Sequence, residues 1–169
     1  MEVIVSSKIL AAPQAEEFKP HFVISIADPD DDHPVFTDSK VLSLDFHDIS
    51  FVSESPYFNQ MYELPSREHV ARIYEFAKSF DEASRILIHC YAGISRSSAA
   101  AIISLCAHMS PKDAVDKIAN LNTKTYVGYE QKGDIWFSPN HLMIKFADEM
   151  LNLNGELEYH VDYRFCGGR

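Results

Sequence analysis

Apolar positions along this chain recur with two periods, and they predict an alternation of strands and helices. Val3-Ile4-Val5 is a short apolar run that predicts an edge strand, and His21-Phe22-Val23-Ile24-Ser25-Ile26 predicts a second strand that Asp28-Pro29 ends. Lys40 to Phe46 predicts a third, with Leu42, Leu44 and Phe46 alternating against Ser43 and Asp45. After a loop with Ser53, Ser55 and Pro56, the pair Pro65-Ser66 opens a helix. Ser66 is its N-cap, and Val70, Ile73, Ala77 and Phe80 keep helical spacing. Arg85 to His89 is the next strand. Ile86-Leu87-Ile88 shows no polar alternation, which predicts a central strand covered on both faces.

The stretch from Ser97 to Met109, rich in Ala and Ile, predicts a buried helix, and Ser110-Pro111 caps another that runs to about Leu121. Asn122 to Ser138 is the least regular segment, with Gly128, Gly133 and interspersed aromatics. His141 to Leu151 predicts a last helix through Leu142, Phe146 and Met150, with Ile144 and Leu151 beside that stripe. Residues after Asn154 are expected to form a loosely held tail. The order predicts an α/β fold, a single domain over 1–169. A central, mostly parallel sheet is flanked by helices, with the site at the carboxyl end of a central strand.

Composition narrows the function. A chain of 169 residues fits one domain, and 46% hydrophobic residues can bury a sizeable core. Lys plus Arg total 15 and Asp plus Glu total 25, so the net charge of −10 argues against nucleic acid and anionic membranes as partners. The run Asp28-Pro29-Asp30-Asp31-Asp32 reads as a solvated loop, with no ligand spacing that would make it a metal site. His47, His69, His108 and His141 show no ligand spacing either. The three cysteines, Cys90, Cys106 and Cys166, form no disulfide framework. Cys106 reads as a small core residue; a disulfide to Cys90 needs their Cα atoms within about 7 Å. Met1-Glu2-Val3 lacks a basic signal region and no apolar stretch is long enough to span a bilayer, so a reducing cytoplasm is the expected location.

The chemistry concentrates in Ile86-Leu87-Ile88-His89-Cys90-Tyr91-Ala92-Gly93-Ile94-Ser95-Arg96-Ser97. An apolar strand delivers a cysteine into a short loop, and a helix follows at once. A thiol must ionise to attack, and a helix N-terminus beside a guanidinium favours the thiolate. The amides from Tyr91 to Ser97 (Tyr91, Ala92, Gly93, Ile94, Ser95 and Arg96 forming the loop) can nest three phosphoryl oxygens. Gly93 lets the backbone curl tightly. Arg96 offers a planar fork of donors that lysine cannot. Ser97 can donate to the cysteine sulfur and ease its departure, while His89 is expected to hold the loop's shape rather than act as a base.

His89-Cys90-x-x-Gly93-x-x-Arg96-Ser97 resembles the signature of the cysteine-dependent protein tyrosine phosphatase superfamily, and all five fixed positions match. Over about residues 40–151 the chain is most similar to the dual-specificity branch and to compact bacterial tyrosine phosphatases. The five residues between Cys90 and Arg96 set it apart from rhodanese-type sulfurtransferases, whose loop is shorter, and the mid-chain motif from low-molecular-weight phosphatases. The resemblance implies an aspartate at an upstream strand end that protonates the leaving oxygen. In Leu44-Asp45-Phe46-His47-Asp48 two aspartates compete: Asp48 at the strand exit is favoured, and Asp45 should point off the apolar face. Glu54 is a distant third. Ser138-Pro139-Asn140 and Phe146 resemble the Pro-Asn and aromatic pattern opening the last helix of those enzymes, and 122–137 is an insertion relative to the smallest members.

The resemblance implies a phosphomonoester hydrolase working through a phosphocysteine, with catalytic Cys90, Arg96, Asp48 and Ser97, and neither metal nor cofactor. The thiol must be ionised while the aspartate is protonated, so a bell-shaped pH–rate profile is expected. Inositide phosphatases of the superfamily usually carry lysines in the loop, whereas Tyr91, Ala92, Ile94 and Ser95 supply no cation here. A phosphorylated protein is therefore the expected partner, phosphotyrosine first and phosphoserine or phosphothreonine second, or a small phosphomonoester. Tyr91, Tyr57 and Tyr62 are candidates to flank an aromatic substrate. The alternatives are a phosphate-binding module without turnover and an inositol phosphate or phosphoinositide phosphatase.

Overall fold

The computed structural model describes residues 1–121 and 137–167. Among the described residues four strands form one sheet: β1 (Glu2–Ser7), β2 (Phe22–Ala27), β3 (Lys40–Asp45) and β4 (Arg85–Cys90). Every pairing is parallel, in the order β1-β4-β2-β3, so β1 is an edge strand and β4 lies inside. The helices are α1 (Lys8–Phe18), α2 (Pro56–Met61), α3 (Arg67–Ala77), α4 (Arg96–Leu105), α5 (Pro111–Ala119), α6 (His141–Leu151) and α7 (Glu156–Phe165). No helix among the described residues is long and apolar enough to cross a membrane.

The pleat sorts side chains between two faces. Val3, Val5, Ile24, Ile26, Ile86, Ile88 and Cys90 join the main core with the buried residues of α3 to α7. Val23 and Leu87 turn the other way, against Ala11 of α1 with Phe18 and Phe36 beside it. The unbroken apolar run of β4 is thus a strand covered on both sides, as its lack of alternation predicts. α4 lies against it with all ten residues buried, which is why its sequence is so poor in charge.

Ser66 caps α3 as expected, its hydroxyl accepting from the His69 amide while His69 Nδ1 accepts from the Ser66 amide. Ser110 and Asn140 cap α5 and α6 by accepting from the amides of Asp113 and Met143.

Two expectations are corrected, and α1 is an element that the sequence pattern does not predict. Lys8–Phe18 is helical although Pro13 interrupts it and its apolar residues make no stripe. Its small Ala11 is fully buried and lets the helix approach the sheet. Pro56–Met61 forms a short helix with no buried residue, in a segment expected to be loop throughout. The expected loose tail is α7, anchored by Leu157 and Val161. Its first turn is capped from another helix: buried Asp148 of α6 accepts from the amides of Gly155 at 2.7 Å, Leu157 at 2.8 Å and Glu158 at 3.4 Å. The expected insertion at 122–137 lies, up to residue 136, outside the described residues.

Candidate active site

β4 ends on Cys90 and α4 begins on Arg96, so residues 91–95 form a tight loop at the carboxyl end of an inner strand. Gly93 takes φ +75°, and a Cβ there would lie 2.7 Å from the Ser6 carbonyl carbon and oxygen and 2.8 Å from the Ser7 nitrogen. Backbone cannot yield as a flexible side chain can, so no other residue fits this turn without moving β1. The Lys8 amide donates to the Tyr91 carbonyl at 3.1 Å and ties the loop to that same strand end.

The Cys90 thiol is buried beneath the loop. The Gly93 amide donates to its sulfur at 3.3 Å, and the Ser97 hydroxyl lies 3.2 Å from it. The back of the loop is equally well tied. Ser98 Oγ donates to the carbonyls of Ile94 at 2.5 Å and Ser95 at 3.0 Å, and the amides of Ser138 and Asn140 donate to the same two carbonyls at 3.3 Å each.

Arg96 is buried, with only 2% of its surface exposed. Its Nη1 donates to Asp28 Oδ1 and to the Phe46 carbonyl, both at 2.6 Å. Its Nε has no hydrogen-bond partner among the described residues and stands 3.9 Å from Asp48 Oδ2. One end of the guanidinium is anchored, and the Nε edge is not. Asp28 thus reaches the site from the end of an acidic run that is otherwise a mostly exposed loop, as read from sequence. Nothing local distinguishes Asp28 from Asp30, Asp31 and Asp32. Its position one residue beyond β2 does, because it brings Asp28 to the same sheet end as Arg96.

Asp48 stands at the cradle. Its Oδ1 accepts from Ser95 Oγ at 2.7 Å and Asn140 Nδ2 at 2.9 Å. Asn140 also donates to the Ile49 carbonyl at 3.2 Å and caps α6 by accepting from the Met143 amide at 3.1 Å. This one buried amide therefore links the loop, Asp48 and α6. Asp45 projects to the opposite face from Leu44 and Phe46, and its carboxylate accepts from His33 at 2.9 Å. Glu54 is exposed, as are Tyr57, Tyr62 and Tyr91.

His89 is fully buried and reaches sideways to Ser25 Oγ of β2 at 2.7 Å, not into the loop. Burial pushes its pKa down to about 4, against a weaker upward pull from the Cys90 backbone. Burial pushes the Cys106 thiol up to about 12, so it is an inert core thiol, as read from sequence. Cys90 and Cys106 flank opposite ends of the ten-residue α4, a span of about 15 Å at 1.5 Å per residue. That separation rules out the disulfide between them. Among the described residues, His141, Asp162 and Cys166 bring metal-ligating atoms within 4.8 Å of one another; all three are exposed and none belongs to the cradle.

No family model and no curated protein matches the chain. Solved structures do. The crystal structure of human tyrosine phosphatase-like serine/threonine/tyrosine-interacting protein superposes with a TM-score of 0.58 at 18% identity, covering 90% of this chain and 92% of that one. DUSP15 gives 0.54 at 17% identity over 96% and 92% of the two chains. Human DUSP28 gives 0.52 at 13% over 89% and 94%. The chain has the α/β fold of the dual-specificity phosphatases, and in fold it resembles the cysteine-dependent protein tyrosine phosphatase superfamily.

Proposed function

We propose that the protein is a metal-independent phosphomonoester hydrolase acting through a phosphocysteine on Cys90, a protein tyrosine or dual-specificity phosphatase. One observation carries this reading: within that fold, a buried thiol with an amide and a hydroxyl on its sulfur lies in a loop whose arginine keeps one edge unspent. The Cys90 thiolate attacks phosphorus in line with the leaving oxygen, whose bond to phosphorus breaks. Arg96 Nε and the loop amides stabilise the equatorial oxygens. Asp48, turned from Ser95 and Asn140 towards the leaving oxygen and protonated, supplies its proton, an effect worth about 10²–10⁴-fold. Water then attacks phosphorus, giving its proton to the Asp48 carboxylate, and the P–S bond breaks to return the thiolate, which Ser97 stabilises. With no lysine in the loop, a singly phosphorylated side chain, phosphotyrosine first, suits the site better than a polyphosphorylated inositol.

p-Nitrophenyl phosphate hydrolysis in EDTA tests this. Turnover should vanish in Cys90→Ser and fall by about 10²-fold or more in Asp48→Ala. A Cys90→Ser protein as active as the parent overturns the reading. A phosphate-binding module without turnover is the second reading, favoured by the three contacts that hold Asp48 against Ser95, Asn140 and Arg96. A protein that binds phosphotyrosine peptide yet hydrolyses no phosphoester would select it.

A further inference from the structure

Behind the cradle, a continuous line of polar groups crosses the sheet from buried His89 to the surface. His89 Nε2 lies 2.7 Å from Ser25 Oγ, the same hydroxyl lies 2.6 Å from His33 Nδ1, and His33 Nε2 lies 2.9 Å from Asp45 Oδ1. Register assembles it. Ser25 pairs with His89 on one side and with Ser43, two residues before Asp45, on the other. All therefore share the face opposite the main core. The proposed chemistry uses none of these links, and Asp45, once a rival to Asp48, has its carboxylate engaged here.

The hydrogens on this line are not independent. A serine hydroxyl owns one hydrogen, so between two ring nitrogens it donates to one and accepts from the other. A carboxylate only accepts, so His33 Nε2 carries a hydrogen. With His89 neutral, two arrangements satisfy every link. With His33 neutral, Ser25 donates to His33 Nδ1 and accepts from His89 Nε2–H, leaving His89 Nδ1 bare. With His33 protonated, His33 Nδ1–H donates to Ser25, Ser25 donates to His89 Nε2, and the His89 hydrogen sits on Nδ1. The arrangements differ by one proton. A proton entering at His89 Nδ1 sends the Nε2 hydrogen to Ser25, whose own hydrogen passes to His33, so the charge emerges beside Asp45.

The surroundings favour that direction. His89 is wholly buried and disfavours charge, while His33 is only part-buried and faces a carboxylate. The other charged groups that bear on His89 are Lys8, paired with Asp31 at 3.1 Å, and Arg96, paired with Asp28.

We propose that Asp45, His33 and Ser25 are positioning residues that set which ring nitrogen of His89 carries hydrogen: Nε2 while His33 is neutral, Nδ1 once it is charged. His89 Nδ1 makes no hydrogen bond of full geometry among the described residues, and the Cys90 backbone is near enough to the ring to favour its charged form. The switch therefore acts on the backbone that holds the nucleophile, a consequence that rests on the proposed role of Cys90.

Two-bond 1H–15N spectra of the full chain with 15N-labelled histidine read both tautomers directly, without turnover. The expected result is that the His89 nitrogens exchange roles with the same pH midpoint as His33. The exchange should be lost in His33→Gln, and both midpoints should move together in Asp45→Asn. A His89 tautomer that stays fixed while His33 titrates overturns the proposal, as does a His33 that takes up no proton above the pH of acid unfolding. A protein showing the switch but hydrolysing no aryl phosphate keeps the relay and loses only the phosphatase reading.

Discussion

Asp28 shows how much of a site depends on one carboxylate outside the motif. Its 2.6 Å contact fixes one end of Arg96, and Phe46 fixes it from a second direction. Removing the charge while keeping the shape lets the fork drift, and misplacement by about 1 Å can cost on the order of 10²-fold in rate. Asp28→Asn should therefore lower kcat for an aryl phosphate by about 10-fold to 10²-fold with the fold intact; steady-state kinetics beside a thermal melt would check it. Gly93 is the opposite case, one of space. Gly93→Ala forces a Cβ onto the Ser6 backbone at a positive φ, so it should cost on the order of 1–3 kcal/mol in stability, read from urea unfolding, as well as activity. The motif residues were legible in sequence because their spacing is local. Asp28 was not, because its partner is 68 positions away and only the sheet brings them together.

At the scale of elements, the strands and α3 to α6 could be read because period and capping residues agree within each segment. α7 could not, because what holds it is tertiary: two buried apolar side chains and a cap supplied by Asp148 of α6. Asp148→Ala should leave those amides without their acceptor. The expected loss is about 1–3 kcal/mol, with hydrogen exchange accelerated in α7 ahead of the sheet; uniform exchange would count against the cap. α1 was hidden for a different reason, since Pro13 and the lack of an apolar stripe mask a helix that packs through small residues. Asn140 sits between the two cases: the Pro-Asn pattern marked it, while its hold on Asp48 appears only in three dimensions. Asn140→Ala should both lower Tm through the lost α6 cap, worth about 1 kcal/mol, and weaken turnover.

For the molecule as a whole, acid is the expected weakness. Burial holds His89 neutral, with its pKa lowered from 6.5 to about 4, and burial also lowers His69. The unfolded chain takes up these protons first. The stability they contribute is therefore present in full above about pH 6.5 and lost as pH falls towards 4, on the order of 3 kcal/mol for His89. Chemical denaturation at pH 7 and pH 4.5 should show that decline, and His89→Gln should flatten it; an equally steep decline in the variant would contradict it. The proposed chemistry stands or falls with the phosphocysteine on Cys90. The most direct measurement is rapid acid quench of the protein during turnover of an aryl phosphate, followed by peptide mass mapping. One phosphoryl group on the peptide bearing Cys90, absent from Cys90→Ser, is the predicted result. Turnover with no phosphoryl group on that peptide, in a protein whose Cys90→Ser variant still hydrolyses the substrate, would contradict the account.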